Sequence, residues 1–408
     1  MGAARYAKRV RGVPAHRIAV TRRGDYHGLP VSIIVHHYFP LGSSNVGDGL
    51  VARAIREAVT RHFGECEFVD FPANDRYPGD DRTLGLLGDN LARTNGEADL
   101  VIVGGSNMLE ARKPRRKGLL GPTVGGWGVY TNLESIERLK VPLLLVGMGT
   151  GSSFAKRIRP YRQPAIDEIR LMHRKAFASA VRDQKTLEKL AEIGIHTRCT
   201  GCPVTFLTPR PVRPSKQTQL PLLVSFPPPR ILERWGGGSF MRQSMQYIEW
   251  LREQGIPVIV TLHDLADLEP ARQWVPRGVE IFCTDNLDQL IERFESCRGV
   301  IGFRLHAALL GLGLGKPVVP VGVDWRGVAF IETFGVRELS IRAMRPGQFS
   351  KLRTLTRRLL DSDDELISRL QCAKATFMSR YDAFLAEAAR DYPAATVSRV
   401  AETPSNSS

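Results

Sequence analysis

A chain of 408 residues is too long for one ordinary core, so two domains are expected. Its 43% hydrophobic and 24% charged residues are ordinary for a globular protein, and no apolar run approaches the roughly 18 residues of a membrane-spanning helix. The formal net charge of +15 is unevenly spread. One cluster is Arg5, Lys8, Arg9, Arg11, Arg17, Arg22 and Arg23 with no acid among them; a second is Arg112, Lys113, Arg115, Arg116 and Lys117. These read as a solvated tail and loop, with peripheral contact to an anionic inner membrane face as the alternative. Aromatics do not interleave with them, so no nucleic-acid partner is expected. No secretory h-region follows the early basic residues, and Tyr6 stands where a myristoylation signal needs Ser or Thr. The expected location is cytoplasmic. Cys199 and Cys202 form a C-x-x-C without the second pair that a zinc site needs, so free thiols and no metal are expected.

Residues 1–29 carry little periodic apolar pattern and read as a disordered basic leader. Order is predicted to begin with a β-branched strand over 31–39, followed by a turn and a helix over 46–63. Further strands are predicted at 66–71, 99–105, 142–147, 178–182 and 196–200, with helices at 80–93, 132–139, 163–175 and 184–193. A proline-rich break, Pro203 to Pro221, reads as an interdomain linker. The alternation then restarts: strand 222–226, helix 239–253 capped by Ser239 and stopped by Gly255, and strands 256–262 and 278–284. Helix 286–296, strand 299–303, helix 305–313 and strand 317–322 follow. Apolar spacing over 350–390 predicts terminal helices packing back on a domain. The expected organisation is a leader at 1–29, a first α/β domain at 30–208, a linker at 209–221 and a second α/β domain at 222–345. Terminal helices occupy 346–392 and a disordered tail 393–408. Strands alternating with helices imply mostly parallel sheets and a cleft at their carboxyl ends.

Four constellations fall at such strand ends. Asn45-Val46-Gly47-Asp48-Gly49 joins a strand to a helix, where glycine lets backbone N–H groups approach an anion. Asp48 either caps that helix or acts on substrate hydroxyls. It is not a dinucleotide fingerprint, and it lacks the lysine of a nucleotide phosphate loop. Gly104-Gly105-Ser106-Asn107 opens a long glycine-rich loop through Gly118, Gly121, Gly125, Gly126 and Gly128, and Gly147-Met148-Gly149-Thr150-Gly151 closes the next strand. Three such strand ends suggest backbone lying close to a ligand. Arg182-Asp183 offers a helix cap and a guanidinium that either forms a salt bridge or grips carboxylate or phosphate. Most telling is Val300-Ile-Gly-Phe-Arg304-Leu305-His306, an apolar strand running straight into a cation, an imidazole and a helix start: an anion site with a proton donor.

In this order and spacing the chain resembles the polysaccharide pyruvyl transferase family from about residue 31 to 345. The matching stretches are Asn45-x-Gly-Asp48, Gly104-Gly105, Gly147-x-Gly149-x-Gly151, Arg182-Asp183, Gly201-Cys-Pro-Val, Arg304-Leu-His306 and Lys316-Pro-Val-Val-Pro-Val. The resemblance implies two Rossmann-like doubly wound domains in a glycosyltransferase-B-like pair. It also implies transfer of the enolpyruvyl group of phosphoenolpyruvate to hydroxyls of a saccharide or lipid-linked glycan, giving a pyruvate ketal and phosphate without a cofactor. By similarity Arg304 and His306 belong to the donor site, with Arg182 a further contributor. The chemistry fits independently: arginines clamp a carboxylate and a phosphate, and His306 is the best available general acid for the methylene carbon. Asp48 is the candidate for orienting or deprotonating the acceptor. Asn45, Gly47, Gly104, Gly105, Ser106, Gly149 and Arg326 complete the expected binding set. Two positions depart from the family pattern. Cys202 replaces a frequent acidic residue before Pro203, and Asp324-Trp325-Arg326 stands where a lysine is frequent, Arg326 preserving the charge. A nucleotide-sugar glycosyltransferase on a similar scaffold is the competing reading, and a non-enzymatic anion-binding protein the third.

Overall fold

The computed structural model describes residues 32–41, 45–73, 85–109, 128–150, 160–207, 220–229, 238–342 and 347–393. The basic leader, the 112–117 cluster, the glycine-rich loop up to Gly126, Gly151, most of the proline-rich break and the tail lie outside these residues.

The first domain is a six-stranded, all-parallel sheet. Its strands are β1 (Ile33–Phe39), β2 (Cys66–Pro72), β3 (Leu100–Gly104), β4 (Leu143–Met148), β5 (Ala176–Val181) and β6 (Arg198–Cys199), in spatial order β2-β1-β3-β4-β5-β6. The strands read as near-continuous apolar runs because helices cover both faces. Between them run α1 (Val46–Phe63), α2 (Gly88–Glu97), α3 (Leu133–Arg138), α4 (Ala165–Lys175) and α5 (Gln184–Ala191). In α1 the apolar positions Leu50, Ala54, Ile55, Ala58 and Val59 are buried at helical spacing, and Gly64, at φ +90°, ends it. The strand order reverses between β1 and β3, so a crevice opens there at the carboxyl ends.

The second domain repeats the plan with β7 (Leu222–Ser225), β8 (Val258–Thr261), β9 (Glu280–Phe282), β10 (Gly299–Gly302), β11 (Val318–Gly322) and β12 (Ile341–Arg342), in spatial order β12-β11-β10-β7-β8-β9. This is the doubly wound order of a dinucleotide-binding sheet, with its switch between β7 and β10. Its helices are α6 (Gly238–Glu253), α7 (Leu268–Trp274), α8 (Leu287–Glu295), α9 (Leu305–Gly313), α10 (Trp325–Thr333) and α11 (Gln348–Leu360). Helix α6 begins at Gly238, so Ser239 lies in its first turn rather than capping it.

Two further expectations are corrected, and some elements were not foreseen. The helix predicted at 80–93 occupies Gly88–Glu97, started by Gly88 in a left-handed conformation at φ +49°. Pro203–Phe206 is a buried 3-10 turn, not solvated linker. Helices α7 and α10 and the two-residue β12 were not predicted, being short and weakly periodic. The terminal pattern is two helices, α11 and α12 (Asp364–Asp391), divided where Asp363 caps the second.

Helix α12 spans both domains. Three turns in, Lys374 Nζ donates to the Gly313 carbonyl at 2.7 Å; further on, Tyr381 stacks on Phe206 with centroids 4.9 Å apart. Just beyond its end Tyr392 Oη donates to the Asp99 carbonyl at 2.8 Å. One continuous apolar core joins α1, α8, α9, Pro203–Phe206 and α12 across the two sheets. Among the described residues no helix is long and apolar enough to cross a membrane. The Tyr381 hydroxyl is buried without a hydrogen-bond partner among the described residues. Tyr381→Phe should therefore be neutral or stabilising by up to about 1–2 kcal/mol, and Tyr381→Ala should cost about 3–5 kcal/mol, both read by denaturant unfolding.

Candidate active site

The two switch points face each other. The β1–α1 elbow of the first sheet meets the β8 and β10 ends of the second: Val46 N donates to the His263 carbonyl at 3.1 Å, and Asn45 bridges Asp264. Asn45, not Asp48, caps α1, its side chain accepting from Gly47 N at 3.0 Å. Asp48 sits buried in the first turn, where a carboxylate suits the positive end of the helix dipole. Gly47 lies directly on His306: a Cβ there would come within 1.8 Å of His306 Nδ1.

His306 is in the first turn of α9 and 5% exposed, and its Nε2 has no hydrogen-bond partner among the described residues. Its pKa falls to about 3. Burial is the largest cause; Arg182, Arg326 and Arg304 push the same way, and Asp324 opposes them. The imidazole is therefore neutral at pH 7, surrounded by three cations and holding an unused buried nitrogen.

Each of those arginines is fixed by its own anchor. Arg304, the residue before α9, donates through its backbone N–H to Ser225 Oγ at 2.9 Å, through Nε to the Phe226 carbonyl at 3.3 Å and through Nη2 to Asp267. Arg182 is 4% exposed and donates to Asn107 and, at 3.3 Å, to Asp183. Asp183 also caps α5, accepting from Thr186 N at 2.8 Å. Arg326 is held by Asp324 through Nε at 2.9 Å and Nη2 at 2.6 Å. Arg182 and Arg326, from different domains, line one small pocket with Cys202 and Leu305.

The glycine-rich strand ends serve this frame as much as any ligand. A Cβ at Gly149 would fall 2.2 Å from Arg182 Nε, so that glycine makes room for the arginine. At Gly104 a Cβ would meet the Val146 carbonyl at 2.2 Å, and at Gly105 it would meet Val51 at 2.9 Å, both contacts within the protein. Ser106, at φ +61°, turns the chain so that its carbonyl accepts from Gly149 N at 3.0 Å. Burial raises the thiols of Cys202 and, to about 11, Cys199, which leaves neither a ready nucleophile.

Sequence reasoning missed His263 and Asp267. His263 is 2% exposed, both ring nitrogens lack partners among the described residues, and burial with the nearby Arg304 and His306 lowers its pKa to about 3. The signal was present: His263-Asp264 follows β8 as Arg304 follows β10. Asp267, three residues further on in a short 3-10 turn, had none.

A family model described as polysaccharide pyruvyl transferase matches residues 45–324, from the cap of α1 to the anchor of Arg326. The chain belongs to the polysaccharide pyruvyl transferase family. It is thus a transferase. No protein of curated function matches the sequence. Among solved structures, a protein assigned as UDP-N-acetylglucosamine 2-epimerase from Listeria monocytogenes superposes with a TM-score of 0.51 at 13% identity, covering 88% of this chain and 94% of that one. UDP-GlcNAc 2-epimerase from Neisseria meningitidis, bound to UDP-GlcNAc, gives 0.46 at 9% identity over 88% and 99% of the two chains. MnaA from S. aureus, solved with UDP, gives 0.46 at 10% over 87% and 96%. At these identities the likeness concerns architecture: this pyruvyl transferase is built on a glycosyltransferase-B-like pair of domains.

Because Gly47 abuts a buried ring, Gly47→Ala must displace either His306 or the first turn of α1. The variant is expected to fold but to lose at least about tenfold in turnover, as misplacement of a reacting group does. Unchanged steady-state kinetics in Gly47→Ala would show that the contact is incidental.

Proposed function

We propose that this pyruvyl transferase takes phosphoenolpyruvate as donor and builds a pyruvate ketal on two hydroxyls of a saccharide or glycan precursor, releasing phosphate. The observation that carries the reading is a buried, neutral His306 whose Nε2 has no partner among the described residues and on which the charges of Arg182, Arg326 and Arg304 act, where the two switch points meet. A donor with a carboxylate and a phosphate matches such a site, since arginine forks bind both groups.

The donor's negative charges oppose the arginines and raise the His306 pKa, so the imidazole gains a proton as the donor binds. His306 then protonates the methylene carbon, leaving an oxocarbenium-like centre at the adjacent carbon. One sugar hydroxyl adds there and gives up its proton. Loss of phosphate regenerates a similar centre, and a second hydroxyl closes the ketal with loss of its own proton. Asp48, in the turn beside Gly47, is assigned to orienting or deprotonating the acceptor, and Asn45 and the Ser106 turn to its binding wall. No cofactor enters this scheme. The anchors Asp267, Asp324 and Asn107 hold the arginines before the donor arrives, so stabilisation needs little reorganisation.

Donor affinity should fall in the order wild type, Arg304→Lys, Arg304→Ala, by about 1–3 kcal/mol for the lost charge-assisted contact. His306→Gln should bind phosphoenolpyruvate almost normally and turn over roughly 100-fold or more slowly. A stable His306→Gln enzyme with full phosphate release on its acceptor would remove His306 from the mechanism.

The depressed His306 pKa supplies a separate test. At pH 7 donor binding should take up as much as about one proton in the wild type and less in His306→Gln. Calorimetry in buffers of different ionisation enthalpy measures this. Equal uptake in the two proteins would show that His306 stays neutral.

A further inference from the structure

The second sheet changes character along one face. Side chains alternate on each strand: Leu223, Ile259 and Val300 point into the core shared with α1, α8 and α9, while Leu222, Val260 and Ile301 point to the opposite face. Two residues further along the inner face, β7 and β8 carry the buried Ser225 and Thr261, and β10 has Gly302, which has no side chain. Continuing the alternation past β8 brings His263 onto the same face, where its ring meets Phe294 of α8 edge-on with centroids 5.9 Å apart. Helix α9 starts over this polar end. Arg304 donates its backbone N–H to Ser225 Oγ at 2.9 Å, and His306 stands in the first turn.

Several polar atoms at this end have no use within the described residues. Thr261 Oγ1, both ring nitrogens of His263 and Nε2 of His306 are buried without a hydrogen-bond partner among them. Native folds rarely leave such atoms unclaimed, because each gives up its hydration for nothing, and a cluster of them marks a place built for a ligand. The acids of the neighbouring turn are engaged: Asp267 holds Arg304, and Asp264 accepts from Ala266 N at 3.0 Å. The Arg304 charge acts on both imidazoles, so this end of the site is positive. A structural histidine is normally pinned through one nitrogen by a carbonyl or carboxylate, which fixes its tautomer. His263 has no such pin among the described residues, so the N–H of the neutral ring can stand on either nitrogen.

We infer that Thr261 and His263 receive the phosphate group of the donor, the hydroxyl and the imidazole N–H donating to phosphoryl oxygens beside the Arg304 guanidinium. The inference rests on the proposed function for the identity of the donor, and it fixes which way round the donor lies. A carboxylate is planar and is matched by one guanidinium fork, whereas a phosphate presents its terminal oxygens in a tetrahedral array and suits donors arriving from separate elements. Arg304 comes from the end of β10, and Thr261 and His263 from the end of β8, so phosphate is the better match for this set. The carboxylate then falls to Arg182 and Arg326, which line one pocket at the seam between the domains. His306, acted on by all three arginines, is left for the carbon skeleton between the two anionic ends.

Inorganic phosphate and pyruvate stand for the two ends of the donor, and each is titrated calorimetrically into the full chain. No acceptor is needed. His263→Leu should weaken phosphate by at least about tenfold, as loss of a buried hydrogen bond to a charged group does, and leave pyruvate within about twofold. Thr261→Val should act in the same direction, and His263→Gln, which keeps an N–H donor, should recover part of the loss. A purely structural ring would not discriminate between the two probes. Because the ring nitrogens have no partner among the described residues, His263→Leu should also melt at or above the wild-type temperature. Unchanged phosphate affinity in His263→Leu, or no phosphate binding by the wild type, would overturn the site. Equal weakening of phosphate and pyruvate would overturn the orientation. Thr261→Val and His263→Gln keep the comparison open if His263→Leu does not fold. A wild-type enzyme that binds phosphate in this way yet releases none from phosphoenolpyruvate would instead count against the donor reading and leave the phosphate recess in place.

Discussion

The rest of the structure depends on how closely the two domains approach at the β1–α1 elbow. Gly47 permits that approach by presenting no side chain to His306, and Gly313 does the same further along the seam, where a Cβ would come within 2.5 Å of the Val204 carbonyl. With both contacts made, Leu50, Val51 and Ile55 of α1 and Ala307 to Leu312 of α9 become one apolar core. The buried state of His306 follows from this packing. An imidazole that sat at the mouth of an open cleft would keep its ordinary pKa; one shut beneath a helix among arginines cannot hold a proton until an anion joins it.

The arginines and the histidines are treated in opposite ways. Arg304, Arg182 and Arg326 each have a carboxylate or amide that fixes the guanidinium plane. Buried charges need such partners, because an unpaired guanidinium would cost several kcal/mol, roughly speaking. Among the described residues His306 Nε2 and both ring nitrogens of His263 have none, and the two rings avoid the cost by being neutral. The result is a field whose positive sign is fixed by geometry around imidazoles that are neutral at pH 7.

Much of this was legible in the sequence, for identifiable reasons. Buried parallel strands write themselves as apolar runs, so β1, β3, β4, β10 and β11 were placed within a residue or two at most of their ends. The helix after Arg304 was bounded correctly at 305–313. Polar residues after such runs pointed to the elbow residues Asn45, Gly47, Arg182, Arg304 and His306, which the fold brings to the facing ends of two sheets. What escaped depends on contacts distant in sequence. Asp267 matters only because it meets Arg304, and β12 is recognisable only by its pairing with β11. Glycines after β3 and β4 looked like ligand contacts, yet Gly104, Gly105 and Gly149 meet the protein's own atoms, since sequence gives the absence of a side chain but not what occupies the space.

Helix α12 has a mechanical consequence. Its 28 residues make a rod about 42 Å long, fastened to the second domain along its first half and to the first domain beyond that. Two bodies joined by an ordinary tether swing freely; two bodies splinted by a rod do not. Wide opening must either unseat one end of the splint, at the expense of the aromatic stack on Phe206 or the lysine grip on Gly313, or bend it. The chain is thereby geared toward small, stiff excursions about a nearly closed form, with substrates threading in along the seam rather than entering a gaping jaw.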